Sequence, residues 1–336
     1  MKAIVLHGVG EPEALRPEEA PDPAPGPGQV VVRLRAAALN HRDLYICRGR
    51  YAGLRFPIIP GSDGTGEVAA LGPGVTGVAS GAAVVINPSL DWGDDPRAAG
   101  PRWRILGLPD NGTFAEQVAV PVASVYPAPH GLTDEEAAAL PLAGLTAYRA
   151  VVTRGRVQRG ETVLVLGIGG GVATFALLFA RRAGARVLVT SGSDEKLARA
   201  QALGADAGFN YKTADWVKAV REATGGQGPD LIVDGTGGAT FEQALDAARP
   251  GGRVVSYGAT TGNVPELTVR RIFWKHLNVL GTTMGSPDDF RGMLAAFGDG
   301  TVRPVVDQVF PLAGAGRALR RMERSEQFGK IVLRIA

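Results

Sequence analysis

The chain has 336 residues, 45% hydrophobic and 21% charged, with 36 basic against 33 acidic side chains for a net charge of +3. That composition supplies two domain cores at about 150 residues each and excludes a disordered, coiled-coil or collagen-like chain. The 47 glycines foretell tight turns and close backbone approaches, and the scattered basic residues form no run suited to nucleic acid.

The first third reads as β. Lys2–His7, Gln29–Ala36, Gly64–Ala70, Ala82–Asn87 and Phe114–Val120 are short Val-rich or alternating runs between Gly/Pro clusters, and a stiff proline-rich connector spans 21–28. Met1–Leu6 is too short an apolar run for a signal peptide, so a cytoplasmic protein is expected. The one cysteine, Cys47, permits no disulfide within the chain and no all-cysteine zinc site. From Asn87 to Gly112 runs a polar, aperiodic stretch, and a loop of that length in a compact domain usually has a job or a history.

From about Ala128 the period changes. Asp134–Leu140 is a predicted helix with Thr133 as its N-cap. Strands at Thr162–Leu166, Arg186–Thr190, Gly208–Asn210, Leu231–Asp234, Arg253–Tyr257 and Leu277–Gly281 then alternate with helices, which predicts a parallel, doubly wound α/β sheet. Val163–Ala180 is uncharged and long enough to imitate a membrane span, but its central glycines break it into strand, turn and helix, so no membrane partner is expected. Ser286 caps a helix from Pro287 to Phe297. A last helix, Ala315–Arg324, and strand, Lys330–Ile335, lie outside the alternation and are expected to pack on the first domain.

The glycine turn carries the clearest chemistry. Gly167, Gly169, Gly170 and Gly171, with Val172, follow one predicted strand and open a predicted helix. Missing Cβ atoms let backbone N–H groups approach a pyrophosphate at the positive end of the helix. At the end of the second strand a cofactor without a 2′-phosphate usually meets an acid, about 20 residues past the glycines. Here that end reads Val189-Thr190-Ser191-Gly192-Ser193, and Asp194 and Glu195 fall in the first turn of the next helix. Ser191, Ser193 and Lys196 offer hydroxyls and a cation to a 2′-phosphate, so NADPH is expected rather than NADH.

The segments Ala38-Leu39-Asn40-His41-Arg42-Asp43-Leu44, Pro60-Gly61-Ser62-Asp63-Gly64-Thr65-Gly66-Glu67-Val68, Leu145-Thr146-Ala147-Tyr148, the glycine turn and Gly329-Lys330-Ile331-Val332 together resemble the medium-chain dehydrogenase/reductase superfamily across essentially the whole chain. The resemblance implies a chaperonin-10-like (GroES-like) β domain over 1–126, completed by 302–336, and a Rossmann domain over 127–301. It also implies a homodimer paired through the last Rossmann strand, near His276–Met284. Zinc-type members hold a catalytic metal at positions that match Asn40, Ser62 and Leu142 here. Asn and Ser are poor zinc ligands and Leu is none. Pro88–Gly112 corresponds to the structural-zinc lobe and has no cysteine, and His41, Asp43, Cys47 and Asp63 show no ligand spacing, so no metal is expected. The zinc-free quinone oxidoreductases and enoyl reductases are the branches it resembles here.

Without zinc, charge developing on a substrate oxygen must be met by hydrogen-bond donors. Tyr51 resembles the tyrosine those reductases place beside the nicotinamide; it is read as a proton donor or as a loop aromatic. Asn40, at the former ligand position, is read as a substrate-orienting amide or as a turn stabiliser. Arg42 and Arg50 could add positive charge, although exposure is the ordinary state of arginine. Family position brings in Thr146 beside the nicotinamide, Tyr211 at the adenosine phosphate, and Thr236, Gly258, Thr282 and Met284 at strand ends, with Lys330 reaching the phosphates. The expected activity is NADPH-dependent, zinc-independent reduction of a quinone or an α,β-unsaturated carbonyl. The alternatives are a zinc-type alcohol dehydrogenase with atypical ligands and a catalytically idle NADPH-binding protein.

Overall fold

A computed structural model of the chain describes residues 1–298, 300 and 302–335; Thr301, the expected end of the second domain, lies outside them. The chain forms two compact units, Met1–Ala143 with Gly285–Ala336, and Gly144–Met284.

In the first unit, strands run in the order Val306–Pro311, Lys330–Arg334, Gln29–Ala38, Asp63–Leu71, Ala83–Ile86 and Val125–Pro127, with Gln117–Pro121 also pairing along Gln29–Ala38. Gln29–Ala38 organises this sheet because its side chains alternate between faces. Val30, Val32 and Leu34 enter one core with Val68, Ile86 and Val118, and at its end Ala37 meets Ile4, Phe114 and Leu333 in another.

The units divide elsewhere than the sequence suggests, later at the first junction (143 rather than 126) and earlier at the second (285 rather than 302). Packing explains both shifts. Ala138 and Ala139 of helix Asp134–Ala139 bury against Ala36, Ala38 and Val332. The Phe290 ring of helix Pro287–Phe297 lies 4.8 Å from Tyr126, and Ser89 Oγ donates to Gly285 O at 2.9 Å.

The second unit carries the expected parallel sheet, in the order Ala207–Asn210, Arg186–Ser191, Thr162–Val165, Leu231–Asp234, Arg253–Ser256, Asn278–Gly281. Its order reverses direction at Thr162–Val165, the strand that feeds the glycine turn. The apolar strand residues Val163–Val165 and Leu231–Val233 are fully buried, as a sheet covered on both faces requires.

Helix His41–Cys47, helix Pro141–Tyr148, helix Val269–Trp274 and strand Val306–Pro311 are absent from the sequence reading. The first is barely two turns long, and Val269–Trp274 buries no residue, so neither shows an apolar stripe. The aperiodic stretch 88–112 is ordered by a short ladder of Ser89–Leu90 on Arg104–Ile105 with Leu90, Trp92 and Leu106 buried beneath it. Among the described residues no helix is long and apolar enough to cross a membrane.

Candidate active site

In the first unit, the strand Gln29–Ala38 ends at Leu39 and Asn40, and Asn40 opens the helix His41–Cys47. Asp43, three residues on, accepts the Asn40 backbone N–H at 2.7 Å and that of Gly61 at 3.3 Å, so one carboxylate joins both motif loops. Burial pushes the Asp43 carboxyl up to about 6 despite the neighbouring Arg42. Gly61 has φ +96°, and a Cβ there would stand 2.4 Å from the Phe114 ring; only glycine lets this loop turn Ser62 and Asp63 inward.

Two cations fill the region that results. Lys330, 3% exposed, donates to Leu39 O at 2.6 Å, Asn40 Oδ1 at 2.7 Å and Asp63 Oδ2 at 2.8 Å. Asp63 is completed by Asn40 Nδ2 at 2.9 Å and by the Leu142 backbone N–H at 2.8 Å. Asn40 is therefore held at both ends of its amide. Lys330, expected to reach phosphates, instead has all three ammonium protons committed inside this network. Burial, helped by the Lys330 charge, lowers the His41 imidazole and keeps it neutral near pH 7.

The second cation corrects a sequence expectation. Arg42 is buried, because its guanidinium donates to Ser62 Oγ at 2.8 Å, Leu106 O at 2.7 Å and Leu108 O at 3.4 Å. Ser62 Oγ in turn donates to Leu106 O at 2.8 Å. The polar stretch after Asn87 thus supplies carbonyls that cradle a buried charge. Arg42 Nε points at the Tyr51 hydroxyl at 3.5 Å, with the guanidinium carbon 5.0 Å from the ring centroid. Tyr51 is half-buried and Arg50 exposed.

The three positions that resemble metal ligands are accordingly engaged: Asn40 by Lys330, Ser62 by Arg42, and Leu142 through its backbone to Asp63. Among the described residues no group of three or more His, Cys, Asp or Glu could hold a metal ion. A divalent ion here would have to displace Lys330 from Asn40 and Arg42 from Ser62, against two fixed positive charges, and the Leu142 side chain offers no donor, so this donor set does not fit zinc.

In the second unit, Gly167 (φ +67°) donates its N–H to Thr190 Oγ1 at 3.1 Å, and a Cβ on it would meet Thr236 Oγ1 at 3.4 Å. Gly169 has φ +122°, and a Cβ there would strike Lys196 Cδ at 2.8 Å. Lys196 therefore lies across the glycine turn. Gly170 caps the helix Gly171–Arg182, and nothing stands within 4 Å of where its Cβ would be. The open space at Gly170 and the start of the helix Gly171–Arg182 make a cradle that fits a dinucleotide pyrophosphate.

At the end of the second strand, Ser191 Oγ accepts the Ser193 N–H at 3.2 Å, and Ser193 Oγ caps the next helix through the Lys196 N–H at 3.4 Å. The nearest acid, Asp194, accepts from Asn210 Nδ2 at 2.7 Å. A Cβ on Gly192 would meet Lys212 Cε at 2.8 Å and the Tyr211 hydroxyl at 2.9 Å, which places both side chains over the same strand end. Lys212 is absent from the sequence reading; its position beside Tyr211 was the available signal. Gly258 lies 3.4 Å, by its would-be Cβ, from Gly235 O. Thr146 and Met284 are buried, and Thr282 Oγ1 is a buried hydroxyl without a hydrogen-bond partner. Apart from Lys330, every residue expected to bind cofactor belongs to this second unit.

Residues 26–130 match the alcohol dehydrogenase GroES-like domain, and residues 171–299 match the zinc-binding dehydrogenase family. The chain is 38% identical to a zinc-type alcohol dehydrogenase-like protein of Leptosphaeria maculans, over 93% of this chain and 92% of that protein. It superimposes on the crystal structure of an NAD-dependent alcohol dehydrogenase with TM-score 0.95, 44% identity and full coverage of both chains. A quinone oxidoreductase of Pseudomonas syringae pv. tomato gives TM-score 0.85 at 30% identity, covering 99% of each chain.

Proposed function

Because the chain belongs to the medium-chain dehydrogenase/reductase superfamily and is an oxidoreductase of that type, we propose that it reduces quinones or α,β-unsaturated carbonyls with NADPH and without a metal. The observation that carries this reading is the pair of cations at the ligand-like positions, Lys330 on Asn40 and Arg42 on Ser62. With no Lewis acid to draw charge onto a carbonyl oxygen, an acceptor whose charge is already delocalised by conjugation is favoured over a simple ketone or alcohol. Tyr51 supplies the proton donor, its phenolic hydroxyl lying beside the buried Arg42.

The cofactor, when bound, supplies the hydride. Gly167–Val172 would hold its pyrophosphate at the start of helix Gly171–Arg182, with Thr236, Gly258 and the unpartnered Thr282 hydroxyl at neighbouring strand ends. Preference for NADPH is supported by the serine in place of an acid at Ser191, the tethering of Asp194, and the convergence of Lys196, Tyr211 and Lys212.

A second copy of the chain is the proposed partner. Asn278–Gly281 is the sheet's edge strand, and beside it in sequence Phe273 and Trp274 are 58% and 77% exposed. An open strand edge flanked by such an apolar patch is suited to pairing.

The name of the structure with 44% identity favours a second reading, alcohol oxidation with NAD. Titration of the purified protein with NADPH and NADH, followed by an acceptor and alcohol panel with and without chelator, separates the two. We expect tighter NADPH binding and chelator-insensitive reduction of an enone or quinone. Stoichiometric zinc with chelator-sensitive alcohol oxidation would overturn the proposal, and tight NADPH binding with no turnover would leave an idle binding protein.

A further inference from the structure

We propose that Arg42 is the positioning residue for Tyr51: it aims the phenol's proton away from itself, toward substrate, and steadies the phenolate left after that proton is given up. The inference rests on the reading of Tyr51 as the proton donor. Arginine can only donate hydrogen bonds. Because Arg42 Nε–H is directed at the Tyr51 oxygen (3.5 Å), the tyrosine's own hydrogen must point elsewhere. The ring is held from below as well, packing with Leu54 and Phe56 against the core that contains Leu44 and Cys47.

Arg42 itself has no freedom to swing. Its two terminal nitrogens are tied to Ser62 Oγ and to the carbonyls of Leu106 and Leu108. It therefore acts on substrate through Tyr51, and the charge a metal would have brought to Ser62 is delivered to a phenol instead. Its guanidinium carbon, 5.0 Å from the ring centroid, keeps a permanent cation beside the group that turns anionic. In the step served, the Tyr51 O–H bond breaks and its proton forms a new O–H bond on the enolate oxygen of an acceptor already reduced by the nicotinamide hydride. The electron pair stays on the phenolate against Arg42, and water returns the proton.

The test is a double-mutant cycle on the full chain with NADPH and an enone, reading kcat, the KM for NADPH and the solvent isotope effect. Tyr51→Phe should lose about 100-fold in kcat. Arg42→Met should lose about tenfold with a larger solvent isotope effect, and in the Tyr51→Phe background it should lose less than twofold, since it acts through the missing hydroxyl. The KM for NADPH should stay within twofold throughout. If Tyr51→Phe is harmless, the donor reading fails and this inference falls with it. If Tyr51→Phe is damaging and Arg42→Met multiplies the loss in full, Tyr51 stands and the Arg42 role is refuted. Should Arg42→Met not fold, Arg42→Lys takes its place in the same cycle. Guanidinium ion in the buffer should also restore Arg42→Ala but not Arg42→Ala with Tyr51→Phe; equal restoration of both overturns the proposal.

Discussion

Replacing Lys330 with methionine tests the buried network most directly. Methionine keeps the length of the chain but removes the ammonium that serves Leu39 O, Asn40 Oδ1 and Asp63 Oδ2 at 2.6, 2.7 and 2.8 Å. Asp63, fully buried, would keep only Asn40 Nδ2 and the Leu142 N–H. Removing one member of a buried ion pair costs about 3–5 kcal/mol, chiefly because the surviving charge is stranded. Two orphaned neutral acceptors add to that, and the effects overlap, so about 4 kcal/mol is expected. Asp63→Asn combined with Lys330→Met leaves no stranded charge and should recover about 2 kcal/mol of the loss. Amide hydrogen exchange of the strand Gln29–Ala38, measured in rising urea, reports the stability of this unit by itself. A loss below about 1 kcal/mol, or a double variant as unstable as the summed singles, would refute the reasoning. In urea-free buffer, NADPH affinity should change less than twofold; a tenfold loss in a folded Lys330→Met protein would return this lysine to the phosphates.

The Asp43 carboxyl, raised to about 6 from 3.8, binds its proton more tightly in the folded protein. Its stabilising contribution is complete below about pH 4 and is lost as pH rises through about 6, about 3 kcal/mol in all. The stability difference between wild type and Asp43→Asn should narrow by that order between pH 4 and 7, and a flat difference contradicts the assignment. Lys196→Ala should weaken NADPH at least tenfold while changing NADH less than threefold, measured by fluorescence titration. Trp274→Glu should convert a dimer to a monomer by light scattering; an unchanged mass removes this face from the interface.

Strand and helix order, the glycine turn and the missing acid at Ser191 were legible in the chain because they depend on neighbours in sequence. Periodicity reports burial on one face, and a turn reports its own backbone needs. Helix Val269–Trp274 escaped because nothing in it is buried, and His41–Cys47 because so short a helix shows no stripe. The unit boundary escaped because Ala138, Ala139 and Phe290 are joined to the first unit by partners distant in sequence.

The local chain thus determined the glycine turn and the side chains at Asn40, Ser62 and Leu142, the positions that resemble metal ligands. Only the tertiary structure decided where the cations went. Arg42 reads in sequence as a surface arginine, and Lys330 as a tail residue free to reach phosphates. Both are buried because carbonyls and a carboxylate contributed by segments 20 to 290 residues away complete their hydrogen bonding. A buried charge is tolerated only where such partners converge, and convergence over those separations is a property of the fold.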